Sequence, residues 1–341
     1  MMDSEKNRPF FSVLVTAFNV APYIDKCIKS ILGQTYENFE LIVVDDGSTD
    51  ETSQCLSAYK DVRVNVITQT NHGVSHARNT AIMAAHGFYI LQVDGDDWVD
   101  VDALERLYPL VSDFSPDVVV TDYYRDFLDG TCLYVKQEIA KTREQRFRGV
   151  LGLTYDTLPP TRLYRLELFY IYKIKYPEHI RSGEDLCVDL QVFFYAENVI
   201  KLDAAFYHYY NRPGSICSAP VKHAYDLLGS YVFSKNFLIE AGLVDEYKAE
   251  LQYFEFSKAF LSLITAKGSE PWHYAEFYQL RHNISGYFHN EKVIKEISFA
   301  PIGRKFLIYT YRTSYLAGRL SKLIGLAVSD LLRCVRLLLG K

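Results

Sequence analysis

The sequence predicts an α/β fold: a mostly parallel sheet with helices on both faces, followed by a helical C-terminal region. Two observations carry this. Over the first ~120 residues, apolar runs of strand length alternate with stretches of helical character, the pattern of parallel strands joined by crossover helices. Three of those runs also end in polar clusters: Thr16 to Asn19, Asp45-Asp46, and Asp94 to Asp97. In an open sheet of this kind the C-terminal strand ends share one edge, where ligands sit.

Phe11 to Ala17, FSVLVTA, is β-branched and apolar, as a buried first strand requires. Its polar lead is short and no small-residue cleavage site follows, so it reads as a strand and not as a signal peptide. Pro22 opens an amphipathic helix to about Gln34. Phe39 to Val44 is the second strand, running into Asp45-Asp46-Gly47-Ser48-Thr49-Asp50, where Ser48 or Thr49 is placed to cap a helix towards Tyr59. Val62 to Thr68 is a third strand. Asn71-His72-Gly73-Val74-Ser75-His76-Ala77-Arg78-Asn79 leads a helix closed by the glycine signal at His86-Gly87. The stretch Phe88 to Trp98, FYILQVDGDDW, is a buried strand feeding three carboxylates. A helix near Asp102 to Ser112 and a strand at Asp117 to Thr121 complete the alternation.

Beyond Thr121 the pattern fades into aromatic-rich sequence. Its landmarks are Pro159 to Arg165 and Tyr176 to Asp185. A helix starts at Glu184, where two acids complement the positive helix N-terminus. Ala205 to Arg212 is a strand, followed by a turn at Pro213-Gly214-Ser215. Tyr225 to Lys267 and Trp272 to Ile297 have helical character.

Clustered carboxylates repel unless a cation shares them, and Mg²⁺ or Mn²⁺ prefers oxygen ligands. Asp94 to Asp97 alone reads equally well as an acidic turn capping the next helix. Three polar clusters on one edge favour a site. No G-x-G-x-x-G, Walker P-loop or G-x-S-x-G occurs at these turns, which removes the main support for dinucleotide, P-loop and hydrolase readings.

Composition is ordinary for a globular chain, with 49% hydrophobic and 23% charged residues, so disorder is not expected. The net charge of −5 argues against a general nucleic-acid binder. The six cysteines form no CxxC pair and read as reduced thiols, neither a disulfide framework nor a zinc site. No stretch of 18 uncharged apolar residues occurs, so no span is expected.

These motifs in this order resemble the family 2 glycosyltransferases, inverting enzymes of the GT-A fold, and among them the bacterial enzymes of capsular, exopolysaccharide and lipopolysaccharide synthesis. The matching stretches are TAFN, VVDDGSTD, NHGVSHARN, VDGDDW, LYR-LELF and YPEHIRSGEDL, within roughly residues 8 to 218. The resemblance implies a catalytic domain over 1–218, with a nucleotide-sugar part at about 8–122 and an acceptor part at about 123–218. It implies that Thr16, Ala17 and Asn19 line the nucleotide pocket and that Asp46 meets a uracil-like base edge. Arg78 would organise that pocket or reach the phosphates. Asp94, Gly95 and Asp96 would form the DxD motif, with Asp96 on Mn²⁺ or Mg²⁺ and Asp94 on the ribose or the metal; Asp97 would stand behind them. Asp185 would be the general base, positioned by Glu184. His208, Arg212 and Ser215 would meet the metal or the diphosphate. A UDP-sugar donor and a glycan or polyprenyl-linked acceptor follow from the same resemblance.

The remainder divides into a helical region, 219–300, and a tail, 301–341. From Arg304 to Lys341 eight bases and one acid give +7, leaving −12 for the rest. Arg319, Lys322, Ser329, Arg333 and Arg336 recur at helical spacing beside a broad leucine-rich face. This fits an interfacial helix on anionic lipid, or equally a helix docked on protein. Contact with the inner face of a cell membrane from the cytoplasm is one expectation. A catalytically silent scaffold and a nucleotidyltransferase are the alternatives; the first has to explain the intact Asp94-x-Asp96 and Glu184-Asp185 pairs, and the second lacks a glycine-rich basic loop.

Overall fold

Every residue of Phe11–Ala17 except Thr16 is buried, and this run becomes the central strand β1. In the computed structural model, residues 9–212, 220–265, 282–283, 286–314, 317–318, 320–322 and 324–325 are described. Two compact units divide at Ile216/Cys217.

In the first unit β1 is flanked by parallel β2 (Phe39–Asp45) and β4 (Tyr89–Asp94), with β3 (Val64–Thr68) outside β2. Between them run α1 (Ala21–Leu32), α2 (Thr52–Ser57) and α3 (Val74–Ala84). Helix α1 buries Ile24, Cys27, Ile28 and Ile31, one helical stripe. It stops short of Gln34, which is itself buried: its side chain donates to Ser30 O and Asp100 O and accepts from Leu104 N, filling the gap to the next helix.

The expected strand at Asp117 is longer, β6 (Val118–Phe127), and it does not lie beside β4. A four-residue strand, β8 (Arg162–Arg165), is inserted between them antiparallel to both. The sheet order is β3-β2-β1-β4-β8-β6-β9-β5, with β9 spanning Val199–Asn211 and β5 Trp98–Val99, while β7 (Cys132–Val135) pairs with β6. The two arginines hid β8 from a hydropathy pattern. Arg162 is nonetheless 1% exposed, because Asp189 lies 3.1 Å from its Nε and three oxygens of the 156–161 segment accept from its other nitrogens. The remaining helices of this unit are α4 (Ala103–Phe114), α5 (Arg143–Leu151), α6 (Leu166–Ile171) and α7 (Glu184–Tyr195).

The second unit is helical among its described residues: Pro220–Glu240, Lys248–Phe254 continuing as a π-helix over Glu255–Leu261, Glu291–Phe299 and Ile302–Thr313. Buried Glu255 accepts from Asn283 Nδ2 and the Tyr287 hydroxyl. Of the expected basic stripe, Lys322 is buried rather than exposed; Arg319, Ser329, Arg333 and Arg336 lie outside the described residues, as do Ser215 and residues 272–281. Among the described residues no helix is long and apolar enough to cross a membrane.

Candidate active site

The C-terminal ends of β1 and β2 are stitched into one rim. Asn19 takes a left-handed conformation (φ 53°), and its Oδ1 accepts from Thr49 N and Asp50 N while its own N–H donates to Ser48 Oγ. Ser48 and Thr49 therefore bind the neighbouring turn instead of capping α2. Asp50 and Thr52 reach back to accept from Ala21 N and Val20 N, two donors at the start of α1 with no partner inside the helix. Gly47 (φ +71°) makes the turn possible, since a Cβ there would sit 2.7 Å from Asn71 N.

Asp46 is 3% exposed. Its Oδ1 accepts from His72 N and Gln69 Nε2, and its Oδ2 from Gly73 N, leaving one lone pair on Oδ2 for a further donor. Ala17 is buried, with its carbonyl accepting from Asp46 N. Thr16 pairs in register with Asp94 and accepts from Gly95 N; a Cβ at Gly95 would lie 3.0 Å from Thr16 O.

Helix α3 organises the acids. Ser75, Arg78 and Asn79 lie on one buried face and hold the segment that leads into α7. Ser75 Oγ donates to Ile180 O, and the Asn79 amide both donates to Tyr176 O and accepts from Tyr176 N. Arg78 then joins β4 to α7: Nη2 lies 3.1 Å from Asp94 Oδ1, and Nη1 lies 2.9 Å from Glu184 Oε1 and 2.5 Å from Asp185 Oδ1. Its guanidinium stacks over Tyr176, whose hydroxyl donates to Gln92. One cation thus faces three carboxylates. Burial pushes the Asp185 carboxyl well above the usual range; Arg78 opposes the shift, while Glu184 and Asp94 add to it. Burial raises Glu184 in the same way, again against Arg78. A turn further along α7, Asp189 holds Tyr164 and Arg162 of β8 and so fixes the helix that carries Asp185. Hydropathy gave no sign of that anchor.

Asp96 is raised by burial and by the charge of Asp94, against Arg212, whose Nε is 2.5 Å from Asp96 Oδ2. Asp97 faces away into the fold: it is 2% exposed and accepts from Tyr207 OH and Tyr210 N, tying β9 to this turn. His208 is not brought to Asp94 and Asp96 as expected. Its Nδ1 faces Asp126 and its Nε2 faces Asp100, because strand register sets its ring between Trp98 and Tyr124. Asp94 and Asp96 offer hard oxygen donors, and each has one carboxylate oxygen not paired to an arginine. A divalent cation there would relieve the repulsion that raises Asp96, so the residues fit Mn²⁺ or Mg²⁺. A cavity of about 510 Å³ against Phe10, Phe88 and Tyr170 lies at the opposite, N-terminal ends of β1 and β4.

Residues 12–171 match the family model described as Glycosyl transferase family 2. The Bacillus subtilis (strain 168) protein named uncharacterized glycosyltransferase EpsJ is 34% identical over 257 residues, 72% of this chain and 74% of its own length. The chain is a family 2 glycosyltransferase. A second protein of that strain, the putative glycosyltransferase EpsH, is 31% identical over 264 residues, with coverage of 72% and 74%. Among solved structures, Staphylococcus aureus TarS 1–349 in complex with UDP-GlcNAc superposes on this glycosyltransferase with a TM-score of 0.64 at 23% identity, over 90% of this chain and 92% of that one. The mannosyltransferase PcManGT from Pyrobaculum calidifontis, in complex with GDP-Man and Mn²⁺, gives 0.52 at 16% identity, over 95% and 87%. The fold of the glycosyltransferase is accordingly GT-A: a mixed sheet with helices on both sides and a helical C-terminal region.

Proposed function

We propose that this glycosyltransferase moves a hexose-type sugar, with inversion, from a UDP-linked donor to a hydroxyl of a glycan or lipid-linked saccharide in surface-polysaccharide synthesis. The observation that carries the reading is Arg78, which sets Asp185 of α7 against Asp94 of β4. Asp185 accepts the proton of the acceptor hydroxyl, and its raised affinity for protons suits it to that work. Glu184 shares Arg78 and fixes the orientation of Asp185. Thr16, Ala17, Asn19 and Asp46 form the nucleotide wall. Asp94 and Asp96 would hold Mn²⁺ or Mg²⁺, which supplies positive charge against the departing diphosphate. Arg212 adds a second cation on the same side. With the base and the leaving group on opposite faces of the sugar, a single displacement inverts the anomeric carbon.

Helix Ile302–Thr313 exposes Ile302 and Phe306 and carries Arg304 and Lys305, a composition suited to anionic lipid at the inner membrane face. The first test is a panel of nucleotide-sugars screened by thermal shift with Mn²⁺ or EDTA. Metal-dependent stabilisation by one UDP-sugar, together with sugar transfer that is lost in Asp185→Asn, is the expected result. Undiminished transfer by Asp185→Asn would overturn the assignment of the base. Flotation with vesicles containing anionic lipid tests the membrane contact, and no flotation would refute it.

A further inference from the structure

Further out along the same sheet edge, past the Asp96–Asp97 turn, strands β7, β6 and β9 bring three other groups together. Asp126 of β6 is the register partner of Cys132 of β7. His208 of β9 is the register partner of Tyr124, two residues from Asp126 and so on the same face of the sheet. A carboxylate oxygen, the thiol sulfur and a ring nitrogen of these residues all lie within 4.8 Å of one another, the one such group of three among the described residues.

We propose that Asp126, Cys132 and His208 bind a thiophilic divalent cation of the zinc type, separate from the hard-cation position at Asp94 and Asp96. The donor set is one sulfur, one nitrogen and one oxygen. Zinc accepts all three in a tetrahedral shell, with water in the fourth place, at about 2.0–2.3 Å. Hard cations such as Mg²⁺ take oxygen ligands and gain little from a thiolate. The imidazole is already turned towards the other two donors, since Nδ1 points to the cluster, 2.9 Å from Asp126 Oδ2, and Nε2 is 3.1 Å from Asp100 Oδ1. A metal-bound histidine that donates its other N–H to a carboxylate is the usual outer arrangement of such sites. Trp98 and Tyr124 hold the ring from its two sides, with centroids 5.1 and 4.7 Å away.

Charge also balances. On binding, the sulfur–metal bond forms and the thiol proton leaves to solvent; thiolate and carboxylate then neutralise the dication with His208 uncharged. Cys132 is exposed, so metal and proton have a path. Motif spacing gave no hint, because the ligands come from three strands and no CxxC is involved.

The test uses the full chain, stripped with a chelator and titrated with Zn²⁺ in equilibrium dialysis, then with Co²⁺ followed by absorption. The expected result is one Zn²⁺ per chain and a Co²⁺ spectrum carrying a thiolate charge-transfer band. Both are lost in Cys132→Ser, whose exposed position spares the fold, and both are kept in Cys55→Ser and Asp96→Asn. Asp100→Asn weakens Zn²⁺ binding about 10–100-fold. Absence of Zn²⁺ binding, binding unchanged in Cys132→Ser, loss in Asp96→Asn, or a Co²⁺ complex without a thiolate band would each overturn the proposal.

Discussion

Replacing Arg78 with Met keeps an apolar stem of similar reach and deletes the cation shared by Asp94, Glu184 and Asp185. Removing one partner of a buried ion pair costs about 3–5 kcal/mol. Asp94 and Asp185 retain 26% and 24% of their side-chain exposure, so water screens part of the loss and the lower end, about 3 kcal/mol, is expected. In a domain of this size that is a fall in Tm of roughly 6–12 °C. The loss depends on pH. Folding raises the carboxyls of Glu184 and Asp185, and a raised carboxyl costs stability only where the unfolded chain is ionised. The cost is absent below the unfolded value near ~4 and complete above the folded one. Because Arg78 is what opposes the upward shift, its removal moves both groups further up. The deficit of Arg78→Met relative to the parent therefore widens with rising pH. Calorimetric melts at about pH 5 and about pH 7.5 measure it. A Tm fall below about 2 °C, or an equal fall at both pH values, would refute the picture of one guanidinium holding three acids.

Asp185→Asn keeps the shape of the site and removes the base, so turnover falls by about 10²–10⁴ while donor binding, read by thermal shift, stays near the parent value. Asp97 is held mostly by two donors, and its carboxyl is raised by burial and by Asp94 and Asp96. Asp97→Asn is therefore tolerated and gains on the parent as pH rises above the ordinary carboxylate range, whereas Asp97→Ala strands Tyr210 N and costs about 1–3 kcal/mol; denaturant unfolding of both variants separates the two outcomes. Gly95→Ala places a methyl 3.0 Å from Thr16 O and 3.1 Å from Val20 Cγ2. Overpacking of that kind costs about 1–3 kcal/mol, and an unchanged melting temperature would show that the turn yields more easily than its contacts imply.

The nucleotide half is legible in the sequence because β1, β2 and β4 are almost wholly buried and the turns after them carry their polar residues contiguously. Thr16 to Asn19, Asp45-Asp46 and Asp94 to Asp97 were placed on one edge by alternation alone. Resemblance, not periodicity, pointed to Glu184 and Asp185, since two acids at a helix start have a sufficient electrostatic reason to be there. The acceptor half was harder. Arg162 and Arg165 disguise β8, because a buried arginine is satisfied by partners distant in sequence, Asp189 among them. The partners of His208, Asp126 and Asp100, escape the sequence for a related reason. Its surroundings depend on the registers of β5, β6 and β9, which no local pattern encodes.

Strand β8 also has a bearing on how the chain is made. The free side of β4 is filled only by Arg162–Arg165, about 70 residues after β4 itself has been synthesised. At a typical rate of 5–20 residues per second, the nascent sheet carries an open, apolar edge for roughly 4–14 s. During that interval Tyr89 to Leu91 offer unpaired backbone groups to any passing strand, including another nascent copy. Truncations that stop between β6 and β8 are therefore expected to aggregate on the ribosome or be captured by chaperones, even though they contain the whole nucleotide half.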